Sequence, residues 1–418
     1  MSTPDHAAGL SGTEAAPVGT RIATAICGGS AEAAAAQLAD AVEQQLGDAP
    51  PVLILAFAST QQPLSELLPG LRRRFPKATV LGASTAGEFT ERGDQKGAVS
   101  LFALAGDYRV YAGCGTGLRA DVESAVTQAA AQLPARVYGY PHRTALLLLD
   151  PLAGRSEEAT LILSALLGED VPVAGGAAGD DLHLKATHVG LNEQVLSDGL
   201  VVAEIFSKAP LGVGVCHAHR PLSSPLLVTR AEGSLVHEIE GRPAWDVWIE
   251  HTREHARHSG IDVDGLGAAA SGSEGTQAVG AFLLRYEAGL LTGSALKLRA
   301  PLSKLEAGAL GFACGIPTGT VIRIAESDPE SQLASTRLAA VRSRENLGGR
   351  EPAGALVFDC ICRNLILKDR FGAAVRSISE ELGGVPIAGF ETYGEIALEV
   401  GDMSGFHNTT SVVLSFPR

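Results

Sequence analysis

One short element occurs three times in this chain and constrains its fold more than any other feature. Each copy is an apolar stretch that runs into a glycine-bracketed loop and ends on a carboxylate. The copies are Thr79–Glu88 (TVLGASTAGE), Val171–Asp180 (VPVAGGAAGD) and Val385–Glu395 (VPIAGFETYGE). Before each copy, strand patterns alternate with helical patterns in the same order. The sequence therefore predicts three βαβαβ units, which span residues 21–88, 109–180 and 320–395.

Strands that alternate with helices favour parallel pairing through right-handed crossovers. We therefore expect an α/β protein with two domains, built from repeated βαβαβ units with largely parallel central strands. The third unit is expected to begin with the strand TVIRIA at residues 320–325. The segments between the units carry hairpin signals, so additional antiparallel hairpins are expected. The expected central strands are 52–58, 145–149 and 355–359. Their parallel neighbours are expected to end at 80–82, 172–175 and 386–389, respectively.

The composition excludes several classes of protein and partner. A chain of 418 residues is too long for one hydrophobic core, so two domains are the default expectation. The net charge of −14 argues against nucleic acid or an anionic membrane as the partner. No apolar run reaches the roughly 18 residues of a membrane span, and the N-terminus lacks the features of a secretory signal. The six scattered cysteines are typical of reduced thiols, and we expect a cytoplasmic location.

The glycine loops admit a functional and a structural interpretation. In parallel sheets, ligands bind beyond the carboxyl ends of the strands, and glycine lets the backbone approach a ligand closely. The carboxylates that end the loops, Glu88, Asp180 and Glu395, are candidates for holding a ligand amine. They are equally suited to capping turn amides, with glycines that only permit turns. Both interpretations stay open on chemistry alone, and the glycines concerned are Gly82, Gly87, Gly175, Gly179, Gly389 and Gly394.

Several ordered motifs resemble the FIST family of bacterial sensory proteins, which have an N-terminal and a C-terminal FIST domain. The motifs are LGASTAGEF (81–89), VAGGAAGDDL (173–182), SDGLVVAEI (197–205), PLLVTRAEGSLVHEIEGRPAWDVW (225–248), LVFDCICRN (356–364), VPIAGFETYGEIA (385–397) and FHNTT (406–410). The resemblance covers roughly residues 35–400. It implies a FIST N-terminal α/β domain at 21–232 and a FIST C-terminal α/β domain at 233–418, after a disordered lead-in at 1–20.

The resemblance implies sensing rather than catalysis, so we expect that the chain is not an enzyme. FIST domains are thought to bind small ligands, with amino acids as candidates, and to work with histidine kinases of two-component systems or with chemoreceptors. The expected output of this chain is a separate signalling protein of that kind. Some members bind haem and sense nitric oxide, which is the first alternative function. The second alternative is an unassigned enzyme that uses Cys360 beside an acidic cleft for acyl or amide transfer, although no general base stands near Cys360 in sequence.

The loop of the C-terminal domain is the predicted ligand site, because its neighbourhood combines a cation, a carboxylate and a histidine. Arg363 would pair with the carboxylate of an amino acid, and Glu395 with its ammonium group. The rings of Phe390 and Tyr393 would supply apolar contact area. The alternative is an internal salt bridge that orders the loop. The predicted ligand-binding residues are Arg363, Phe390, Tyr393, Gly394, Glu395, Phe406, His407 and Asn408 in the C-terminal domain, with Ser84, Thr85, Glu88, Asp180 and Asp181 in the N-terminal domain.

Haem is the one cofactor that the resemblance raises, and the cofactor is otherwise unassigned. His251 and His255 lie four residues apart in a predicted helix, a spacing that suits a metal site but also a polar helix face. We favour the polar face, because no carboxylate or cysteine is placed to complete a metal site. The histidines that would serve if haem binds are His251, His255, His217 and His407. Cys360 and Cys362 are expected on one face of a strand, where a disulfide between them is sterically poor.

Overall fold

The computed structural model describes residues 19–268, 273–292, 295–399 and 405–418, and within these ranges the chain forms ten α-helices and 27 β-strands. The helices are α1 Ala31–Leu46, α2 Leu64–Arg74, α3 Val122–Ala130, α4 Ser156–Leu167, α5 Ala244–His258, α6 Val263–Ala268, α7 Ser273–Arg285, α8 Pro329–Glu345, α9 Ile361–Leu367 and α10 Phe371–Glu381. The strands are β1 Arg21–Cys27, β2 Pro51–Ala58, β3 Thr79–Ser84, β4 Glu88–Thr90, β5 Gly93–Gln95, β6 Val99–Ala105, β7 Arg109–Thr116, β8 His142–Leu149, β9 Val173–Ala177, β10 Val189–Leu191, β11 Gln194–Leu196, β12 Gly199–Ser207, β13 Gly212–His217, β14 Arg220–Pro221, β15 Leu226–Glu232, β16 Leu235–Ile239, β17 Arg242–Pro243, β18 Tyr286–Thr292, β19 Ala295–Arg299, β20 Pro301–Lys304, β21 Leu310–Phe312, β22 Val321–Glu326, β23 Pro352–Cys360, β24 Ile387–Thr392, β25 Glu395–Leu398, β26 Phe406–His407 and β27 Thr410–Pro417. No helix in these ranges is long and apolar enough to cross a membrane.

Three six-stranded sheets share one strand order, and they confirm the threefold repeat. The orders are β1-β6-β2-β3-β10-β11, β7-β12-β8-β9-β25-β26 and β13-β27-β23-β24-β4-β5. The predicted central strands β2, β8 and β23 each pair in parallel with the predicted neighbour, β3, β9 or β24. On its other side, each central strand pairs with an antiparallel strand, β6, β12 or β27.

The prediction of largely parallel sheets is wrong. Each of the three sheets contains one parallel pair, and the remaining pairs are antiparallel. The cause is the last strand of each unit, which returns after the glycine loop and inserts between the first strand and the central strand. A strand that returns in this direction forms antiparallel ladders with both neighbours. The fold class is therefore mixed α/β, with mixed and antiparallel sheets.

A short hairpin follows each glycine loop and joins the sheet of a different unit. The hairpin β4–β5 pairs with β24 of the third unit, and β10–β11 pairs with β3 of the first unit. The hairpin β25–β26 pairs with β9 of the second unit. Each hairpin covers a strand that would otherwise be a sheet edge, and edges left open invite pairing with other chains. The exchange links the three units into a closed ring.

A fourth sheet is built from residues 218–328, which we call the inserted module because they separate β13 from α8. Its order is β19-β18-β22-β15-β16-β21-β20, with β14 beside β22 and β17 beside β16. The strand TVIRIA is β22 of this sheet, so the prediction that it opens the third unit is wrong. The predicted domain boundary between residues 232 and 233 falls between β15 and β16, and a division at that point stays a prediction.

The strand that opens the third unit is β13, and α8 packs directly on it. Arg342 Nη1 donates to the carbonyl of Val215 at 2.6 Å, and Asn346 Nδ2 donates to the carbonyl of Val213 at 2.7 Å. The helix begins at the residue after Asp328, whose carboxylate accepts from the backbone N–H of Ser331 at 2.9 Å. The start of α8 can therefore be recognised from the neighbouring residue Asp328. Its partner strand β13 is separated from it in sequence by the inserted module.

The three sheets face one another around a shared apolar core, and helices cover their outer faces. Phe57 from the first sheet stacks on Phe390 from the third, with ring centroids 4.6 Å apart. Leu146 and Leu148 of the second sheet belong to the same cluster. The sequence predicted that Phe390 contacts a ligand, but its side chain is fully buried and contributes to this core. The core lies directly beneath the carboxyl ends of the parallel strands.

Replacing Phe390 by alanine is expected to lower the free energy of unfolding by about 3–5 kcal/mol, because a fully buried aromatic ring leaves a cavity. Guanidinium unfolding followed by circular dichroism measures this loss. The matched control is Tyr138→Ala, since the Tyr138 ring is fully exposed and its removal is expected to change stability by less than about 0.5 kcal/mol. Equal effects of the two changes would contradict this assignment of Phe390 to the core.

Candidate functional site

The three glycine loops meet and hydrogen-bond to one another, and we call the residues 84–88, 177–181 and 391–395 the loop hub. The backbone hydrogen bonds between different loops are Gly179 N to Ser84 O (2.8 Å), Asp181 N to Thr85 O (2.9 Å), Glu391 N to Gly87 O (2.8 Å), Ala86 N to Glu391 O (3.1 Å), Ala177 N to Gly394 O (2.8 Å) and Tyr393 N to Ala177 O (3.1 Å). Every pair of loops shares two of these bonds. The repeated element therefore has a structural role, because it lets three sheet ends join.

Glycine is required in the hub where two loops approach most closely. A Cβ atom on Gly87 would lie 2.6 Å from the carboxyl carbon of Glu391. A Cβ atom on Gly179 would lie 2.7 Å from the backbone nitrogen of Ala86. Neither contact leaves room for a side chain. The close approach is thus between protein loops, and not between a loop and a ligand.

Two of the loop carboxylates hold the hub together from inside. The hydroxyl groups of Thr85 and Thr392 donate to the carboxylates of Glu88 and Glu395, three residues further along the chain. The second oxygen of Glu88 accepts from Ala98 N at 3.0 Å, and that of Glu395 accepts from Thr410 N at 3.0 Å. Both glutamates are fully buried. Their contacts support the capping interpretation, and neither glutamate lines the cavity described below.

Burial shifts the protonation of these glutamates strongly. Loss of water raises the pKa of Glu88 to about 8 and that of Glu395 to about 7, although the threonine hydroxyls favour the charged form. Burial likewise raises the pKa of Glu287 and of Glu391 to about 8. In the folded protein, these carboxyl groups therefore keep their protons to a higher pH than in the unfolded chain.

Arg363 is also internal, and this corrects its predicted place at the rim of a ligand site. Its side chain is fully buried, and Nε donates to Asp359 at 2.8 Å. Nη1 donates to Ser335 at 3.0 Å, and Nη2 donates to the carbonyl of Gln332 at 3.1 Å. All three nitrogen atoms have protein partners, so the guanidinium group has no free donor edge for a ligand carboxylate. The internal salt bridge was the alternative interpretation of this residue.

A cavity of about 440 Å³ lies beside the hub, where the core sheets meet the inserted module. The core contributes Pro151, Leu152, Leu182, Leu184, Cys360, Ile361, Cys362, Leu365, Tyr393 and Asn408, and the module contributes Gly280, Leu284, Pro301, Leu302, Phe312 and Ala313. These described residues include no charged side chain. By contrast, the hollow around Arg143 and Asp170 contains no residue of the loop hub. The apolar cavity is therefore the candidate binding site.

Four exposed leucines form the rim of the cavity. The exposed fractions are 45% for Leu182, 58% for Leu184, 43% for Leu302 and 39% for Leu365. Leu182 and Leu184 have φ angles of 65° and 53°, in the left-handed region that costs a leucine about 1–2 kcal/mol. Backbone strain of this kind is concentrated at functional sites. The chain holds these two side chains toward solvent at an energetic cost.

Asp180 and Tyr393 stabilise this strained segment. The backbone N–H of Leu184 donates to the Asp180 carboxylate at 2.8 Å, and that of Leu182 donates to the Tyr393 hydroxyl oxygen at 2.8 Å. The Tyr393 hydroxyl in turn donates to Asp180 at 2.6 Å. Asp180 also accepts from the N–H groups of Lys185 and Ala186. The hub thus positions the leucine rim through one carboxylate and one phenol.

Only some of the predicted site residues lie at the cavity. Tyr393 and Asn408 line the cavity, and Asp180 holds Tyr393 in place. The predicted residues that do not line it are Ser84, Thr85, Glu88, Asp181, Arg363, Phe390, Gly394, Glu395, Phe406 and His407. Sequence reasoning missed the leucines, and the signal that could have revealed them is the pair of leucines within the polar segment Asp180–Lys185.

The predicted histidines do not fit a haem in this cavity, because none of them lines it. His251 is half-buried on α5, and His255 is exposed with Nδ1 3.4 Å from Glu326. Nε2 of His217 lies 3.1 Å from the carbonyl of Leu296. Nε2 of the buried His407 lies 3.2 Å from the carbonyl of Ala397. These four histidines therefore offer no axial ligand to a haem in the cavity.

The two cysteines do not share a strand face, contrary to the prediction. Cys360 ends β23, and Cys362 lies in the first turn of α9. Both line the cavity. Burial, together with a hydrogen bond to Cys362, holds the pKa of the Cys360 thiol well above its usual value. A thiol that stays protonated is a poor nucleophile, so the site does not favour the acyl-transfer alternative.

The stability of the protein is expected to fall as pH rises from about 6.5 to 9, because the buried glutamates hold more protons in the folded state than in the unfolded chain in that window. Glu395→Gln mimics the protonated form, so it should match the wild type at pH 5 and exceed it by about 1–3 kcal/mol at pH 9. Chemical unfolding across pH measures both curves, with the exposed Glu345→Gln as control. Parallel curves for Glu395→Gln and the wild type would rule out a buried, protonated Glu395.

Tyr393→Phe is expected to loosen the leucine rim, because it removes one donor to Asp180 and one acceptor for Leu182. A loss of about 1 kcal/mol corresponds to roughly fivefold faster amide exchange in residues 181–186. Hydrogen–deuterium exchange with mass spectrometry measures this rate. Tyr138→Phe changes an exposed ring and should leave it unaltered. An unchanged rate in Tyr393→Phe would show that the hydroxyl does not hold the segment.

Known proteins share the pattern of this chain. The FIST N domain matches residues 52–242, and the FIST C domain matches residues 268–398. An uncharacterized protein of Mycobacterium tuberculosis is 28% identical over 286 residues, which cover 65% of this chain and 68% of that protein. An uncharacterized protein of Methanocaldococcus jannaschii is 21% identical over 229 residues, which cover 53% of this chain and 44% of that protein. The two matched domains contain all three loops of the hub, and the chain belongs to the FIST family.

Proposed function

We propose that this FIST protein is a cytoplasmic sensor that binds a small, neutral and largely apolar molecule in the cavity beside the loop hub. Its output would be read by a separate protein, such as a histidine kinase or a chemoreceptor. The observation that carries the proposal is the cavity itself, whose lining residues, among those that the structure describes, come from both the core and the inserted module and carry no charge. Its volume falls within the usual range for small-molecule sites.

The chemistry of the lining defines the ligand class. Apolar side chains form most of the wall, and Tyr393 and Asn408 supply the phenol and amide groups that can orient a ligand. An amino acid would bring two charges into this wall, and burying unpaired charges is costly. Arg363 and Glu395, the residues expected to pair with those charges, are committed to protein partners. A neutral molecule with one or two polar groups fits the site better.

The position of the cavity suggests how binding becomes a signal. The chain crosses between the core and the inserted module at residues 217–220 and 326–329, and these crossings lie side by side because Arg220 pairs with Glu326 in the β14–β22 ladder. We infer that these two adjacent connections act as a hinge. A ligand that contacts both walls would favour the closed arrangement, since it binds that arrangement better.

Contacts at the same junction would couple the ligand to the rest of the module. Asn408, in the cavity wall, accepts from the backbone N–H of Ala300 at 3.5 Å. The next residue, Thr409, donates to the buried carboxylate of Glu287 at 2.5 Å. Arg299 Nη1 donates to the carbonyl of Phe406 at 3.1 Å. Phe406 and Thr409, on either side of His407 and Asn408, thus contact β19 and β18 of the module.

A thermal-shift screen tests the ligand class, because a molecule that binds the folded state raises the melting temperature. Uncharged aromatic and aliphatic alcohols and amides are expected to raise it, and free amino acids are not. Leu284→Trp fills the cavity and should abolish the shift, while Leu338→Trp, an exposed leucine outside the cavity, should preserve it. Stabilisation by amino acids that survives Leu284→Trp would contradict the proposal.

A further inference from the structure

Two thiols stand together in the wall of the apolar cavity, and no element of the proposed function uses them. Cys360 is 1% exposed and Cys362 is 6% exposed, and both are free cysteines. The other four cysteines, Cys27, Cys114, Cys216 and Cys314, do not line the cavity. The pair lies at the junction of β23 with α9, with Ile361 between the two cysteines. Both residues line the cavity, and a side-chain hydrogen bond joins Cys360 to Cys362.

The surroundings of the pair limit its chemistry. The cavity residues nearest in sequence are Ile361 and Leu365, and no charged side chain lines the wall among the described residues. The high pKa of Cys360 disfavours chemistry that begins with a thiolate, such as attack on a peroxide. A reaction whose reactants and products are all uncharged suits the uncharged wall of the cavity. Condensation of a dithiol with a trivalent metalloid hydroxide is such a reaction.

We propose that Cys360 and Cys362 bind a soft trivalent metalloid centre that carries an apolar substituent, with the substituent lying in the cavity. The proposal rests on the proposed function, since it assigns a ligand class to the same site. Arsenic(III) is one such centre. When it condenses with the two thiols, two arsenic–oxygen bonds break and two arsenic–sulfur bonds form. Each hydroxyl group leaves as water with one thiol proton, and arsenic stays trivalent.

The number of protein ligands explains why the centre must carry an organic group. In the described ranges, no group of three or more histidine, cysteine, aspartate or glutamate side chains is arranged to hold a metal ion. Zinc and similar ions take four ligands in structural sites, which two thiols cannot supply. A monosubstituted arsenic(III) centre needs two sulfur atoms, because its third bond is already to carbon. Soft thiol ligands also suit this class of centre.

Phenylarsine oxide, which is hydrated to the dihydroxy form in water, is the probe. Intact mass spectrometry of the full chain should show one adduct per chain, formed with loss of two waters. Isothermal titration should show binding at least about tenfold tighter than that of inorganic arsenite, because the phenyl ring adds apolar contact. Cys360→Ala and Cys362→Ala should each weaken binding about 100-fold or more, because a single remaining thiol cannot chelate the arsenic centre. Cys314→Ala, outside the cavity, should have no effect.

Three results would overturn the inference. One is equal affinity for phenylarsine oxide in the wild type and in the two alanine variants, each first shown to melt normally. The second is arsenite binding as tightly as the phenyl compound, and the third is full binding in Leu284→Trp. Without the arsenical, the wild type and Cys314→Ala, whose substitution lies outside the cavity, should bind neutral cavity ligands with equal affinity. Failure of those ligands in every form of the chain would count against the proposed function instead.

Discussion

The hydrogen bonds between the three glycine loops are the interaction on which the rest of the structure depends. Each pair of loops is joined by two backbone bonds at the carboxyl ends of β3, β9 and β24. From this junction each chain segment leaves its own sheet as a hairpin and completes another. The three units are consequently interlocked, and the positions of Tyr393 and Asp180 in the hub determine where the leucine rim of the cavity lies.

The same junction explains why carboxylates are buried in an otherwise aliphatic interior. Glu88 and Glu395 each accept hydrogen bonds from a threonine hydroxyl and a backbone amide, and these partners offset part of the cost of burial. Their raised pKa values mean that the folded protein holds them largely as neutral acids near pH 6. Neither glutamate lines the cavity, and the described residues that do line it carry no charge. The apolar character of the site therefore comes from that lining.

The repeat, the central strands and their parallel neighbours could be predicted, because apolar runs and glycine turns are local signals. The antiparallel return of β6, β12 and β27 could not, since strand pairing depends on contacts distant in sequence. The strand β22 directly precedes α8 in sequence, whereas β13 lies before the inserted module, so the insertion hid the true first strand. Of the residues predicted from the C-terminal loop and the FHNTT motif, Tyr393 and Asn408 line the cavity. Arg363 was misplaced, because proximity in sequence says nothing about the direction of a side chain.

The central claim is that a neutral ligand lies between the core and the inserted module. A crystal structure of the chain with the neutral compound that gives the largest thermal shift tests it most directly. The account predicts ligand density between Leu284 and Cys362, within hydrogen-bonding distance of Tyr393 or Asn408, and with Arg363 and Glu395 still bonded to their present partners. Density elsewhere, or a ligand held by Arg363 and Glu395 after release from those partners, would contradict it.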